Sequence, residues 1–199
     1  MVSKMKGTQK ITITREKMLP FILGLVIIII DQITKIWVAK NIPFYIYANG
    51  TGYNVYKSFF DGFIEIIHVR NLGVAFSIGY TWPRVIRVII FSGLPLIVMC
   101  YIIYWCLKSN DLSKLQRWCI SAVVGGGIGN IIDRIFREYG VVDFISVKWF
   151  GWENAWFEFL RWDRWPTFNF ADAMIVVFGI IFVISLIKML IKESKEGKK

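Results

Sequence analysis

The chain has 199 residues, of which 56% are hydrophobic, while charged residues make up 19% against roughly 25% in an ordinary soluble domain; its mean hydropathy is +0.53. A soluble core of this size cannot hide so much apolar surface, so the excess faces lipid, which excludes a soluble single domain and a disordered chain. Formal net charge is +10, but the basic residues cluster at the flanks of apolar runs, a topology signal rather than a nucleic-acid surface, and no nucleic-acid partner is expected.

Residues 1–17 form a basic tail with Lys4, Lys6, Lys10, Arg15 and Lys17. The first apolar run, residues 18–39, continues through Asp31 and Lys35 and lacks a small-x-small cleavage site, so it reads as a retained span rather than a signal peptide. Asp31 and Lys35 stand four apart in the acid-first order that favours an ion pair on one helix face. The spacing predicts a structural pair near the helix end, with the Lys35 ammonium snorkelling to the interface.

An external loop, residues 40–83, follows. Its stretch 59–76 is rich in Ile, Val and Phe, punctuated by Gly62 and Gly73, and predicts short strands with His68 as a strand residue. The second span is expected over 88–107, then a basic connection. The third span, 118–136, has Gly125, Gly126, Gly127 and Gly129, a bare face for close helix packing. Asn130, Asp133 and Arg134 follow at i, i+3 and i+4 on one face, where the two charges are expected to neutralise each other.

In the external loop 137–167, Val141 and Val142 make an extended approach to Asp143. Segment 148–165 holds eight aromatics, and Trp149, Trp152, Trp156 and Phe159 recur at helical steps, which predicts a short interfacial helix or loop. The fourth span, 168–191, carries Asp172 about 6 Å from its start, and residues 192–199 are a second basic tail. The expected organisation is therefore an all-α membrane protein with a four-span domain over 18–191, a small external β element and two cytoplasmic tails. Continuous rather than alternating runs exclude a membrane barrel.

Segments 1–17, 108–117 and 188–199 carry 13 basic and 4 acidic groups, whereas loops 40–83 and 137–167 balance to zero. Both termini are thus expected in the cytoplasm. The three cysteines lie in or beside apolar runs and there is one histidine, so no metal site and no cofactor are expected.

Asp143 and Asp172 fall at one level and lack a basic neighbour in sequence. Two carboxylates at the water–lipid boundary share a proton readily, one serving as base toward water and the other as acid toward a carbonyl. The rival reading is a small proton-coupled transporter or channel subunit, with Asp31, Lys35, Asp133 and Asp172 as a relay.

Five segments in order carry a resemblance: Asp31-Gln-Ile-Thr-Lys35, Arg70-Asn71-Leu-Gly73-Val-Ala75-Phe76, Gly125 through Arg134, Val141-Val142-Asp143-Phe144 and Phe168-Asn169-Phe-Ala171-Asp172. Together they resemble the lipoprotein signal peptidase (signal peptidase II) family of bacterial membrane aspartic peptidases. The resemblance implies Asp143 and Asp172 as the catalytic dyad. It implies Asn71, Gly73, Asn130, Arg134, Asn169 and Ala171 as substrate-binding or site-lining positions, with Asp31, Lys35 and Asp133 as supporting charges. It also implies a lipid-modified prolipoprotein substrate cleaved before its diacylglyceryl-cysteine, contact with membrane lipid, globomycin-type lipopeptide inhibitors, and a site near the outer face of the bacterial inner membrane. The segment between Asp143 and Asp172 is longer than usual for the family, and the excess is aromatic.

Overall fold

The structure, a computed structural model, describes residues 14–46, 55–72, 79, 81–149, 151–153 and 156–196. Gly73, Phe150 and the two ends of the chain lie outside the described residues, as do the side chains of Tyr45, Ile46, Glu158 and Phe159. Four helical stretches are long and apolar enough to cross a membrane. The first consists of α1 (Arg15–Met18) and α2 (Phe21–Asn41). The second begins as α3 (Arg84–Val88), passes through a π-helical turn (Ile89–Gly93) and continues as α4 (Leu94–Lys108). The third is α5 (Lys114–Phe136) and the fourth α6 (Phe170–Glu196).

The fourth helical stretch begins two residues later than predicted, at Phe170. The first three begin earlier than their predicted apolar segments and the fourth ends later, at Glu196, because backbone hydrogen bonding continues through flanking charged residues that hydropathy counts as ends. The start of α5 shows this. Ser113 accepts from the Gln116 amide while the Gln116 side chain accepts from the Ser113 amide, a reciprocal cap that starts the helix ahead of the apolar run. The π turn immediately precedes Pro95, whose ring and missing N–H disfavour a regular helical turn there.

Helix α5 is the central helix: 61% of its apolar window is buried, against none for α6, and it packs on α2, α4 and α6. Its glycines make this possible. A methyl group at Gly125 would stand 2.5 Å from the Gly24 carbonyl oxygen of α2, and one at Gly129 the same distance from an Asp31 carboxylate oxygen. Ser121 adds a polar tie, donating to the Pro20 carbonyl at 2.6 Å and accepting from the Gly24 amide at 3.2 Å. The outward faces are apolar, including Ile22, Leu25, Ile29 and Ile33 on α2 and Val176, Ile180, Val183 and Ile187 on α6, as a lipid-facing surface requires.

One end of the bundle carries a four-stranded sheet. Strand β1 (Tyr45–Ile46) pairs parallel with β3 (Ile64–Asn71), while β2 (Lys57–Phe59) and β4 (Val141–Val147) pair antiparallel with it. The predicted strands in the first loop are therefore present, with His68 in β3. The approach to Asp143 is also a strand, and it completes the sheet. Between β3 and β4, Ile66 faces Ile145 but Val69 faces Asp143, so the register slips by one residue at Ile67 and His68. This bulge matters for parity: because side chains alternate, it puts Asn71 on the same face as Asp143, where unbroken pairing would put it on the other. The bulge is held by His68, whose ring is buried and whose Nδ1 donates to the Ile42 carbonyl at 2.6 Å.

Of the two forms expected for the aromatic segment, helix or loop, the described residues take the loop. It continues beyond β4 as a hairpin-like arm, in which Trp149 and Trp152 donate from their amides to the carbonyls of Asp163 and Leu160, at 2.7 and 2.8 Å. A short 3₁₀ turn (Glu158–Arg161) lies on its returning limb. Helical spacing of the tryptophans was misleading because backbone groups pair across the arm instead. Arg164 staples the arm's base, donating to the Ser146 hydroxyl, the Ser146 carbonyl and the Gly62 carbonyl and pairing with Glu65.

Candidate active site

The site is built where the N-terminus of α6, the last turns of α5, the middle of α2 and strand β4 meet. Asn169 is the N-cap of α6. Its Oδ1 accepts from the Asp172 amide at 3.0 Å, and an Asp172 carboxylate oxygen accepts from the Asn169 amide at 3.1 Å. This reciprocal cap fixes Asp172 in the first turn, where the helix dipole favours an anion. The next amide of the turn, that of the buried Ala171, donates to Asp31 of α2 at 3.1 Å. Asp31 thereby anchors the start of the fourth span to the first.

Asp143 projects from β4 into the same region and is 3% exposed. Its carboxylate accepts from Asn169 Nδ2 at 2.7 Å and from Asn71 Nδ2 at 3.1 Å. The second oxygen of Asp172 accepts from Asn130 Nδ2 at 2.7 Å, and Asn130 Oδ1 accepts from Asn169 Nδ2 at 3.1 Å. The two carboxylates are thus joined through a chain of two amides, Asn130 and Asn169. Burial, reinforced by the neighbouring Asp172 charge, pushes the Asp143 carboxyl from its ordinary 3.8 up to about 7; hydrogen bonds from Asn169 and Asn71 and the Lys35 charge oppose the shift.

Behind this layer lies a fully buried charge cluster. Lys35 pairs with Asp31 at 2.9 Å and with Asp133 at 3.2 Å, and donates to Asn130 Oδ1 at 2.8 Å, with no exposure of Asp31, Lys35 or Asp133 side chains. The predicted ion pair is present, but Lys35 does not snorkel: three acceptors hold its ammonium inside the bundle. Nor do Asp133 and Arg134 neutralise each other. Asp133 pairs instead with Arg137 at 2.8 Å and also accepts from the Val142 amide at 3.1 Å, tying α5 to β4. Arg134 stays near the dyad, where Asp143, Asp172 and Asp133 act on its guanidinium.

The structure therefore brings together Asp31, Lys35, Asn71, Asn130, Asp133, Arg134, Asp143, Asn169, Ala171 and Asp172. Two participants went unnoticed in the sequence. Gln32 donates to Asp31, to the Gly129 carbonyl and to Asp133, at 3.2, 3.0 and 3.1 Å. Arg137 closes the cluster on the far side. Both left a signal: Gln32 is an amide inside an apolar span beside Asp31, and Arg137 lies four residues after Asp133 on the same helix face.

Fold and site define a polytopic membrane protein with two amide-bridged carboxylates at one end of its bundle. A family model described as signal peptidase (SPase) II matches residues 23–188. The lipoprotein signal peptidase of Treponema pallidum is 38% identical over 176 residues, 88% of this chain and 87% of the relative. That of Treponema denticola is 39% identical over 177 residues, 89% and 93% of the two chains. A solved bacterial membrane enzyme matches with a TM-score of 0.64 at 25% identity, covering 85% of this chain and 88% of that one. The chain belongs to the signal peptidase II family.

Proposed function

We propose that the protein cleaves the signal peptide from diacylglyceryl-modified prolipoproteins, on the N-terminal side of the modified cysteine, by aspartic peptidase chemistry. Family membership supports prolipoprotein signal peptide cleavage in a membrane setting. The observation that carries the catalytic type is the pair of carboxylates bridged by Asn130 and Asn169, one of them held near neutrality. The transporter reading gains no support, since the carboxylates gather at one end of the bundle rather than along its depth.

Asp172, fixed by donors at a helix N-terminus, serves as base and takes a proton from the attacking water; Asp143, protonated up to about pH 7, donates its proton to the scissile carbonyl oxygen. The water oxygen adds to the carbonyl carbon, giving a tetrahedral diol. Its collapse breaks the C–N bond, the amine nitrogen takes the proton held by Asp172, and Asp143 recovers one from the diol. Asn71 and Asn169 hold Asp143, Asn130 holds Asp172, and Arg134 is placed to bind substrate carbonyls. Gly73 belongs to the same substrate-lining segment by resemblance.

The sheet end of the bundle faces outward in this reading, with both termini cytoplasmic, as the basic flanks support. A signal peptide helix then lies in lipid beside the bundle with its modified cysteine at the level of the dyad. Globomycin-type lipopeptides would occupy this position as inhibitors. The test is incubation of the purified protein with a lipidated precursor and its unlipidated form. Cleavage confined to the lipidated precursor and lost in both Asp→Asn variants is expected. Undiminished cleavage by either variant would sink the aspartic assignment.

A further inference from the structure

At the sheet end, bordering the carboxylate network and sharing Arg134 and Arg137 with it, a cleft opens between α3 and the end of α5. Its walls carry Arg84 and Arg87 from α3, Arg134 from the last turn of α5, the C-cap Arg137 and Glu138. Arg84 and Arg87 stand three residues apart on α3, so this pair lies along one helix face. Arg84 and Arg87 also lie outside the charge balance of the loops, heading the second span at the sheet end.

The charges here are poorly matched within the chain. Among the described residues, no carboxylate lies within ion-pair distance of Arg84, Arg87 or Arg134, while Arg137 is committed to Asp133. Arg87 donates through Nη1 to the Leu72 carbonyl at 3.1 Å, yet its Nε–H, like that of Arg134, is buried without an acceptor among the described residues. Buried donors left unsatisfied are costly and point to an acceptor supplied from outside the chain.

We propose that this cleft is a phosphate subsite, filled by the headgroup phosphate of a phospholipid in the surrounding leaflet. Planar guanidinium forks match phosphate oxygens in geometry and charge. Lipid is the source because the cleft adjoins membrane-facing surface: Val88 and Phe91 line it, and Val85, Ile86 and Ile89 of the same span are exposed. Acyl chains would run down that apolar face while the phosphate sits among the arginines. A lipid held here borders the dyad without touching its carboxylates.

The test is native mass spectrometry of the full chain in detergent, with phosphatidylglycerol or diacylglycerol of the same acyl chains added. Phosphatidylglycerol should be retained about tenfold more than diacylglycerol, and Arg84→Gln/Arg87→Gln should remove most of that preference. Arg84→Gln alone, at an exposed residue with no structural hydrogen bond among the described residues, should lower retention with thermal unfolding unchanged, which covers the case in which the double variant folds poorly. Inorganic phosphate at equal concentration should leave the lipid bound; displacement would overturn the lipid as source. Equal retention of the two lipids, or equal retention by parent and Arg84→Gln, would overturn the subsite. The readout is binding, so it fails or succeeds independently of peptide cleavage.

Discussion

The ammonium of Lys35 donates to the side-chain oxygen of Asn130 at 2.8 Å, and this contact decides which end of that amide meets Asp172. An ammonium has no acceptor capacity, so the Asn130 oxygen must face it and the Nδ2 must face the carboxylate. Lys35 is thus a positioning residue, acting on Asp172 through Asn130. It is also the counter-charge of Asp31 and Asp133, and the two tasks are inseparable.

Lys35→Met should therefore destabilise the protein by about 3–5 kcal/mol, the cost of leaving buried carboxylates without their partner. Asp31→Asn should lower the yield of folded protein, since it weakens the Lys35 pair as well as the tie to Ala171. Thermal unfolding in detergent reads both. A Lys35→Met variant as stable as the parent would remove the charge cluster from any structural role.

Asp143→Asn and Asp172→Asn should each lower the rate of precursor cleavage by at least about 10²-fold while the protein still inserts and folds. The amide keeps the shape of the carboxyl but cannot exchange a proton with water or with the carbonyl. Single-turnover cleavage of a lipidated precursor measures the effect.

With the Asp143 carboxyl raised to about 7, cleavage should fall as pH rises through that value, because the acid loses its proton. Linkage gives a second consequence with a definite sign. Between the ordinary 3.8 and about 7, the unfolded chain has released this proton and the folded chain has kept it, so this carboxyl makes the protein less stable as pH rises across the window. The stability of Asp143→Asn relative to the parent should shift in the variant's favour from pH 4 to pH 8. A relative stability independent of pH would contradict the raised value.

Gly129→Ala should disturb the site from outside the catalytic set. The added methyl would stand 2.5 Å from an Asp31 oxygen and 3.5 Å from the Ala171 side chain, so α5 must move away from α2 or the carboxylate must turn. A loss of about 1–3 kcal/mol is expected, with reduced cleavage because Asp31 also holds the Ala171 amide. Unfolding and activity measured on the same preparation test both parts.

The arm beyond β4 exposes Trp152, Phe157 and Trp156, the last 98% exposed. Aromatic rings of this kind favour the headgroup region. Trp152→Ala/Trp156→Ala should leave thermal stability nearly unchanged and raise the KM for lipidated precursor severalfold. Unchanged kinetics would reduce the arm to a membrane anchor.

The four spans were legible because lipid demands long apolar runs, and the nearness of Asp143 to Asp172 because both carboxylates were expected at one level of the span boundary. Helix ends were less legible: hydropathy stops at charges, whereas caps such as Ser113 with Gln116 begin the helix earlier. The pairing of charges was misread for a related reason. Asp133 has Arg134 beside it in sequence, yet neighbouring residues on a helix diverge, and its partners came from Arg137 one turn on and Lys35 on another helix. The arm takes the loop form rather than the helical one because its backbone donors find acceptors across a hairpin, although its tryptophans keep a helix period.

The extra residue at Ile67–His68 makes the site depend on counting as well as on chemistry. Deleting one residue there would leave every carboxylate, every asparagine and the hydropathy of all four spans in place, yet it would turn Asn71 toward the reverse of the sheet and strip Asp143 of one of its two amide donors. Substitutions in this strand are graded in effect, whereas a single-codon gap is all-or-none. Anyone transplanting these polar groups to another four-span scaffold must carry the odd strand with them, because a regular hairpin bearing the same residues would present a different set of side chains to the dyad.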